Sequence, residues 1–250
     1  MSSIRVSRYE TVATITLSRG KVNALNEAMV EEINGCLEGL EKDDTVRSII
    51  LTGQGKFFSF GFDIPEFLSY SKDAFIVFLT KFTNLYTRVF LFPKPVVGAL
   101  NGHAIAGGCM LAMACDYRLM ISGKAKISLN EINFGSSVFA GCVEMLKFWV
   151  GQRNAQSVVY SGSMLLTDEA LQLGLIHQIS AEENLRDDAM AVARDFAQKD
   201  RVAFASIKTL LRKPVAAEMI KRERDSVLEF ADIWYSDRTW RKLQEIRIHS

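Results

Sequence analysis

Three stretches of this 250-residue chain carry residue types that could act on a carbonyl compound. In Asn101–Asp116, NGHAIAGGCMLAMACD, Gly107 and Gly108 stand at the start of an apolar helical run. The first turn of a helix leaves N–H groups unpaired and carries partial positive charge, and glycine there lets a substrate approach the backbone closely. In Gly55–Ile64, GKFFSFGFDI, a glycine-spaced loop follows a strand. One N–H from Gly107 and one from Phe62 would together hold the oxygen of a carbonyl as negative charge develops on it. In Ser128–Gly135, SLNEINFG, Glu131 emerges just beyond a strand. Its apolar neighbours Ile132, Phe134 and Val138 are expected to dry it, raising its pKa from about 4.3 toward working pH as a general base requires. Taken singly, Gly107–Gly108 reads as a tight turn and Glu131 as a solvated carboxylate. Their combined order is far more specific.

The elements that must position these residues are short strands first and helices later. Ile4–Tyr9, Thr11–Leu17 and Arg47–Thr52 read as strands bounded by turn residues. Between the last two, Met29, Val30, Ile33, Leu37 and Leu40 recur at helical spacing and predict an amphipathic helix over Glu27–Lys42. Strand, helix, strand implies a crossover and a parallel pair. Lys72–Phe92 is helical and leads into the strand Val96–Leu100, with further strands at Tyr117–Ile121, Lys126–Leu129 and Ile176–Ile179. Helices are expected over Ala181–Gln198, Arg201–Lys213, Ala217–Trp234 and Asp237–Ile248. A soft boundary near residue 198 divides an α/β core, 1–198, from a helical subdomain, 199–250.

FSFGFDI, then NGHAIAGG followed by small apolar residues ending in CD, then a glutamate after a strand, resemble the crotonase (enoyl-CoA hydratase/isomerase) superfamily. The similarity runs from the opening strands and KVNALN (21–26) to the terminal helices. It implies a spiral of ββα units, a C-terminal helical subdomain and a homotrimer or hexamer. It also implies that the Phe62 and Gly107 N–H groups polarise a thioester carbonyl. Lys21, Val22, Ala24, Gly61, Asp63 and Ile64 would line the bound acyl-CoA. Hydratases of the family resemble one another in carrying two glutamates, and at the first of those positions this chain has Met110. A thioether has no titratable proton and is a weak acceptor, so Met110 reads as apolar pocket lining. AGGCMLAMACDYRLM, SLNE and IKTLLRK (207–213) resemble the single-glutamate Δ3,Δ2-enoyl-CoA isomerases, with Glu131 as the base. Isomerases that use an additional aspartate match less well, because Phe139 stands where it would be. Phe62 occupies a position that is usually small, so its ring is expected to narrow or redirect the acyl pocket. A decarboxylase or other lyase on an acyl thioester, or a non-catalytic acyl-CoA binder, stay open as alternatives.

The bulk composition bounds the rest. Apolar residues make up 48% and charged residues 24%, as in a soluble globular protein, and the net charge of +1 gives no reason to expect nucleic acid. Cysteines at 36, 109, 115 and 142 and histidines at 103, 177 and 249 have no metal-ligand spacing. No metal or redox cofactor is expected; coenzyme A belongs to the substrate. Cys109 and Cys115 read as packed small hydrophobes, His103 as structural, and Asp63 and Asp116 as braces of turns. Trp234, Tyr235 and Trp240 are large groups that a neighbouring subunit is expected to cover. No apolar run reaches the ~18 residues of a membrane span, and the opening MSSIRVSRYE lacks an apolar signal core, so the expected location is the cytoplasm.

Overall fold

The computed structural model describes residues 2–246. The chain opens on an antiparallel hairpin, β1 (Ile4–Tyr9) and β2 (Val12–Leu17). Next comes α1 (Glu27–Lys42), capped by Asn26, whose side chain accepts the Met29 N–H. The five apolar residues expected on its inner stripe are all buried.

From here the chain repeats one manoeuvre three times. The pairs are β3 (Ser48–Gly53) with β4 (Phe57–Ser59), β5 (Val96–Leu100) with β6 (His103–Ile105), and β7 (Tyr117–Ile121) with β8 (Lys126–Ser128). The first pair leads into α2 (Ile64–Phe67) and α3 (Lys72–Leu91), the second into α4 (Gly107–Ala114). The third leads through a 3-10 turn, Glu131–Phe134, into α5 (Ala140–Ser161). The first strand of each pair joins one sheet and the second joins another. Asn101 stitches one such corner, accepting the Gly53 N–H at 2.8 Å and donating to the Gly55 carbonyl at 2.8 Å. The chain closes with β9 (Leu165–Leu166), α6 (Thr167–Leu173), β10 (Gln178–Ser180), α7 (Leu185–Gln198), α8 (Arg201–Trp234) and α9 (Asp237–Glu245).

The larger sheet has the order β1-β2-β3-β5-β7-β10, and the smaller β4-β6-β8-β9. Every pairing in them is parallel except β1–β2 and β8–β9. This is the expected α/β spiral of ββα units. α3 is apolar and long enough by composition to cross a bilayer, yet Phe75, Phe78, Phe82 and Phe90 along it are buried in the protein's own core.

The terminal helices depart from expectation in two ways. Arg201–Lys213 and Ala217–Trp234 are one continuous 34-residue helix through Pro214. Proline removes a hydrogen bond to the carbonyl four residues back, here that of Leu210. Pro214 and Leu210 are both exposed, so water can satisfy that carbonyl while the opposite face stays packed on α3 and α5. The second concerns the aromatic residues expected to await a neighbour. Trp234 is 1% exposed, so the chain covers it itself, while Tyr235 and Trp240 stack with centroids 5.0 Å apart and stay half-buried. Exposed apolar residues lie elsewhere on α8, at Val202, Ile207, Leu210, Leu211 and Ile220. The end of the expected helix Asp237–Ile248, and His249, lie outside the described residues.

A buried charge cluster docks α8 on the residues before 198. Asp116, just ahead of β7, accepts the Val96 N–H at 2.7 Å, meets Lys208 at 2.8 Å and Arg212 at 3.1 Å. Arg212 also donates to the Phe90 and Ala114 carbonyls. These contacts set the position of the far end of α8, which carries Phe230 and Trp234.

Candidate active site

Gly108 shows why the β6–α4 corner is glycine-rich. A Cβ there would lie 2.3 Å from the Ser59 carbonyl oxygen, so α4 can press its first turn onto β4 only without a side chain. Ala106 makes the corner itself at φ 50°, an unusual conformation for a residue with a side chain. It is held by its N–H to the Ser128 carbonyl at 2.8 Å and by the Met110 N–H to its own carbonyl at 3.0 Å. The Gly107 N–H, at the first helical position, donates to no protein group among the described residues.

The second donor is set up by a short parallel bridge between Leu25 and Phe62. Leu25 donates to the Gly61 carbonyl at 2.7 Å and accepts from the Asp63 N–H at 3.0 Å, which leaves the Phe62 N–H turned away from the bridge. It too has no protein acceptor among the described residues. Gly61, at φ +95°, permits this turn.

Glu131 opens the 3-10 turn after β8. Asn133 anchors the turn by donating to the Gly162 carbonyl at 2.8 Å, and Thr239 of α9 donates to the Gly135 carbonyl at 2.7 Å. Three residues complete a 3-10 turn, so residues 131 and 134 share a side. Glu131 and Phe134 face one cavity, whereas Ile132 is 48% exposed and does not dry the carboxylate as expected. Val138 is half-buried against the core. The glutamate is 3% exposed, and among the described residues it forms no salt bridge and its Oε2 has no hydrogen-bond partner. Burial pushes its carboxyl from the ordinary 4.5 up to about 8.

These parts meet around a cavity of about 260 Å³. Phe60, Phe62 and Ile64 come from the β4–α2 segment, Ile105, Ala106, Gly107 and Met110 from the β6–α4 corner. Asn130, Glu131 and Phe134 come from the turn, and Phe230, Trp234 and Ile246 from the C-terminal region. Among the described residues that line it, Glu131 is the sole carboxylate. Met110 is the apolar lining expected. An apolar chamber with one uncharged-leaning carboxyl and two free amides suits proton abstraction beside a carbonyl.

The residues expected to line coenzyme A divide. Ile64 and Met110 reach the cavity; Lys21, Val22, Ala24, Gly61 and Asp63 stand outside its wall. The first three run beside the loop, with the Phe60 N–H donating to the Val22 carbonyl and Arg19 to that of Ala24. Lys21 is exposed. The Asp63 carboxylate caps α2 through the Glu66 N–H and pairs with Arg19 at 2.6 Å. Cys109 and Cys115 are fully buried with thiols pushed up by burial, and His103 packs on Phe57 with centroids 5.0 Å apart. Sequence reasoning missed Phe230 and Trp234 as cavity walls. Their i, i+4 spacing signals a buried helix face, but nothing in it says which cavity that face closes.

Comparison with known proteins bears on the same residues. A family model described as Enoyl-CoA hydratase/isomerase matches residues 7–233. A probable enoyl-CoA hydratase of Bacillus subtilis is 38% identical over 216 residues, 84% of this chain and 82% of that protein. The mitochondrial enoyl-CoA delta isomerase 1 of Mus musculus is 28% identical over 228 residues, 90% of this chain and 79% of that protein. The crystal structure of human mitochondrial delta3-delta2-enoyl-CoA isomerase superposes with a TM-score of 0.91 at 26% identity, covering 97% of this chain and 96% of the other.

Proposed function

We propose that this chain, which belongs to the enoyl-CoA hydratase/isomerase family, works within it as an isomerase that moves the double bond of a 3-enoyl-CoA thioester to the 2-position. The observation that carries the proposal is that Glu131 is the single carboxylate among the described residues lining a cavity to which Met110 also contributes wall. The thioester carbonyl takes the Phe62 and Gly107 N–H groups. The Glu131 carboxylate removes a proton from C2, and the electron pair of that C–H bond passes into the thioester to give a dienolate. The negative oxygen rests on the two amides, the largest electrostatic contribution to the rate. The protonated Glu131 then returns the proton to C4, and the double bond ends in conjugation with the carbonyl. No water is consumed. Lys21, Val22, Ala24, Gly61 and Asp63 hold the coenzyme A portion beside the cavity, on this reading.

Several relatives carry the name hydratase, and that reading makes a distinct demand. Adding water across a double bond needs a second carboxylate to hold and activate it, and Met110 cannot serve. Met110→Glu is therefore expected to give a measurable gain in hydration of 2-enoyl-CoA, with some loss of stability because a charge replaces packed apolar volume. A hydration rate unchanged in a folded Met110→Glu protein argues against this division of labour.

We also propose a homotrimer or a dimer of trimers, placed in the cytoplasm. The exposed Val202, Ile207 and Leu211 of α8 support an assembly that covers them. Light scattering at micromolar concentration should give three or six times the 28.0 kDa chain mass, and a monomer contradicts it.

A further inference from the structure

We infer that the Phe62 ring sets the length of acyl chain the site accepts. This deepens the acyl-CoA reading and rests on it, but it does not depend on whether the double bond is moved or hydrated. The cavity's 260 Å³ lies just under the roughly 300–1,000 Å³ of small-molecule sites. At about 30 Å³ for each water-sized atom, it holds on the order of nine non-hydrogen atoms. Thioester carbon, oxygen and sulfur take three of them, which leaves an acyl group of roughly six or seven carbons.

The ring stands where the cavity would otherwise continue. One edge lies on the oxyanion corner, where a Cβ on Gly107 would be 3.1 Å from Phe62 Cε1. Its other side meets Phe78 and Phe82 of α3 edge-on, with centroids 5.0 and 4.9 Å away. Phe139 stands behind at 6.4 Å, and Phe230, itself a wall of the cavity, flanks the ring at 6.4 Å. The ring is 8% exposed, so it forms the boundary between the cavity and an aromatic interior.

That interior does not yield to a longer chain. Phe139 and Phe230 stack at 4.5 Å, and α8 clamps the start of α5 beside them. Glu223 accepts the Gly141 N–H at 3.0 Å, and the Ser226 hydroxyl accepts the Ala140 N–H at 3.0 Å. A chain that outgrows the cavity must therefore displace an edge-packed ring from close-packed neighbours. Removing the Phe62 ring leaves its backbone N–H in place and opens the cavity toward Phe78 and Phe82.

The test is binding of saturated straight-chain acyl-CoAs from butanoyl to dodecanoyl, which undergo neither isomerisation nor hydration, followed by calorimetry. Wild-type affinity should peak near about six carbons and fall at least about tenfold by ten, since each methylene that fits or fails in an apolar pocket changes affinity by about 10-fold or more. Phe62→Ala should move the peak to longer chains, and Phe62→Leu should move it part of the way; the leucine variant carries the test if the alanine variant fails to fold. Decanoyl-CoA binding the wild type as tightly as hexanoyl-CoA overturns the inference, as does an unchanged peak in the folded variants. Absence of binding at every length overturns the acyl-CoA reading itself, and the length rule with it.

Discussion

Glu131→Gln is expected to lower isomerase turnover by about 10²–10⁴-fold or more, because a sole base has no substitute within the cavity. Glutamine keeps the shape of the side chain and cannot take a proton, so thioester binding should stay nearly intact. A variant that keeps more than about a tenth of wild-type turnover would show that Glu131 is not the base. The same group makes a second, opposite forecast for stability. Its carboxyl is raised from 4.5 to about 8 by burial, so the folded protein holds a proton there that the unfolded chain has released. The stabilisation from that group is fully present below about pH 4.5 and is lost as pH rises through about 8. Glu131→Gln should therefore be near-neutral for stability at pH 5 and stabilising by a few kcal/mol, an order-of-magnitude figure, at pH 9. Wild-type kcat/KM should rise with pH toward a plateau above about 8, as the free carboxylate fills. Urea titrations and rate profiles across that range read both effects, and a Gln variant that is equally destabilised at every pH contradicts the assignment.

How much of this was legible in the residues follows from the length of each signal. The α1 stripe spans four turns, and its limits and inner residues agree with the expectation residue for residue. The smaller sheet was legible only in part: β8 falls within the strand expected over Lys126–Leu129, but β4 and β6 are three residues each, too short for an alternating pattern to show. Those two strands sit inside segments that read as glycine-rich loops, and only the close approach of Gly108 to Ser59 reveals what the glycine is for. The single helix Arg201–Trp234 reads as two in the sequence because local sequence says nothing of which helix face meets water around Pro214. The sequence does not place Ile132, because a loop gives no periodicity, and the 3-10 turn turns it outward. Glu131, Phe62 and Gly107 were legible as a set only through the order of their three segments.

Asp116→Ala should be the most destabilising single change outside the cavity. It removes the partner of Lys208 and Arg212, whose side chains are only 5% exposed, and leaves two buried cations uncompensated. Breaking buried pairs this way costs about 3–5 kcal/mol. The loss should depend on pH. Burial already pulls the Lys208 ammonium down to about 8, so the unfolded chain binds more protons than the folded one between there and 10.5. Stability from this group rises with pH over that window. Without Asp116 the lysine should shed its proton more readily still, so the deficit of Asp116→Ala should be larger at pH 6.5 than at pH 9. Denaturant midpoints at the two values test it; a deficit below about 1 kcal/mol at both would mean that packing, not this charge cluster, docks α8. The cluster matters for chemistry because α8 delivers Phe230 and Trp234 to the cavity wall.

The most direct test of the central claim is a comparison on one preparation of the wild-type protein. Conversion of a short 3-enoyl-CoA to the 2-enoyl product is followed beside hydration of the same 2-enoyl-CoA. With Glu131 as the sole carboxylate among the described residues that line the cavity and Met110 in its wall, isomerisation should proceed while hydration is at least about a hundredfold slower, the lower bound for a missing acid–base partner. Hydration as fast as isomerisation, or faster, contradicts the account.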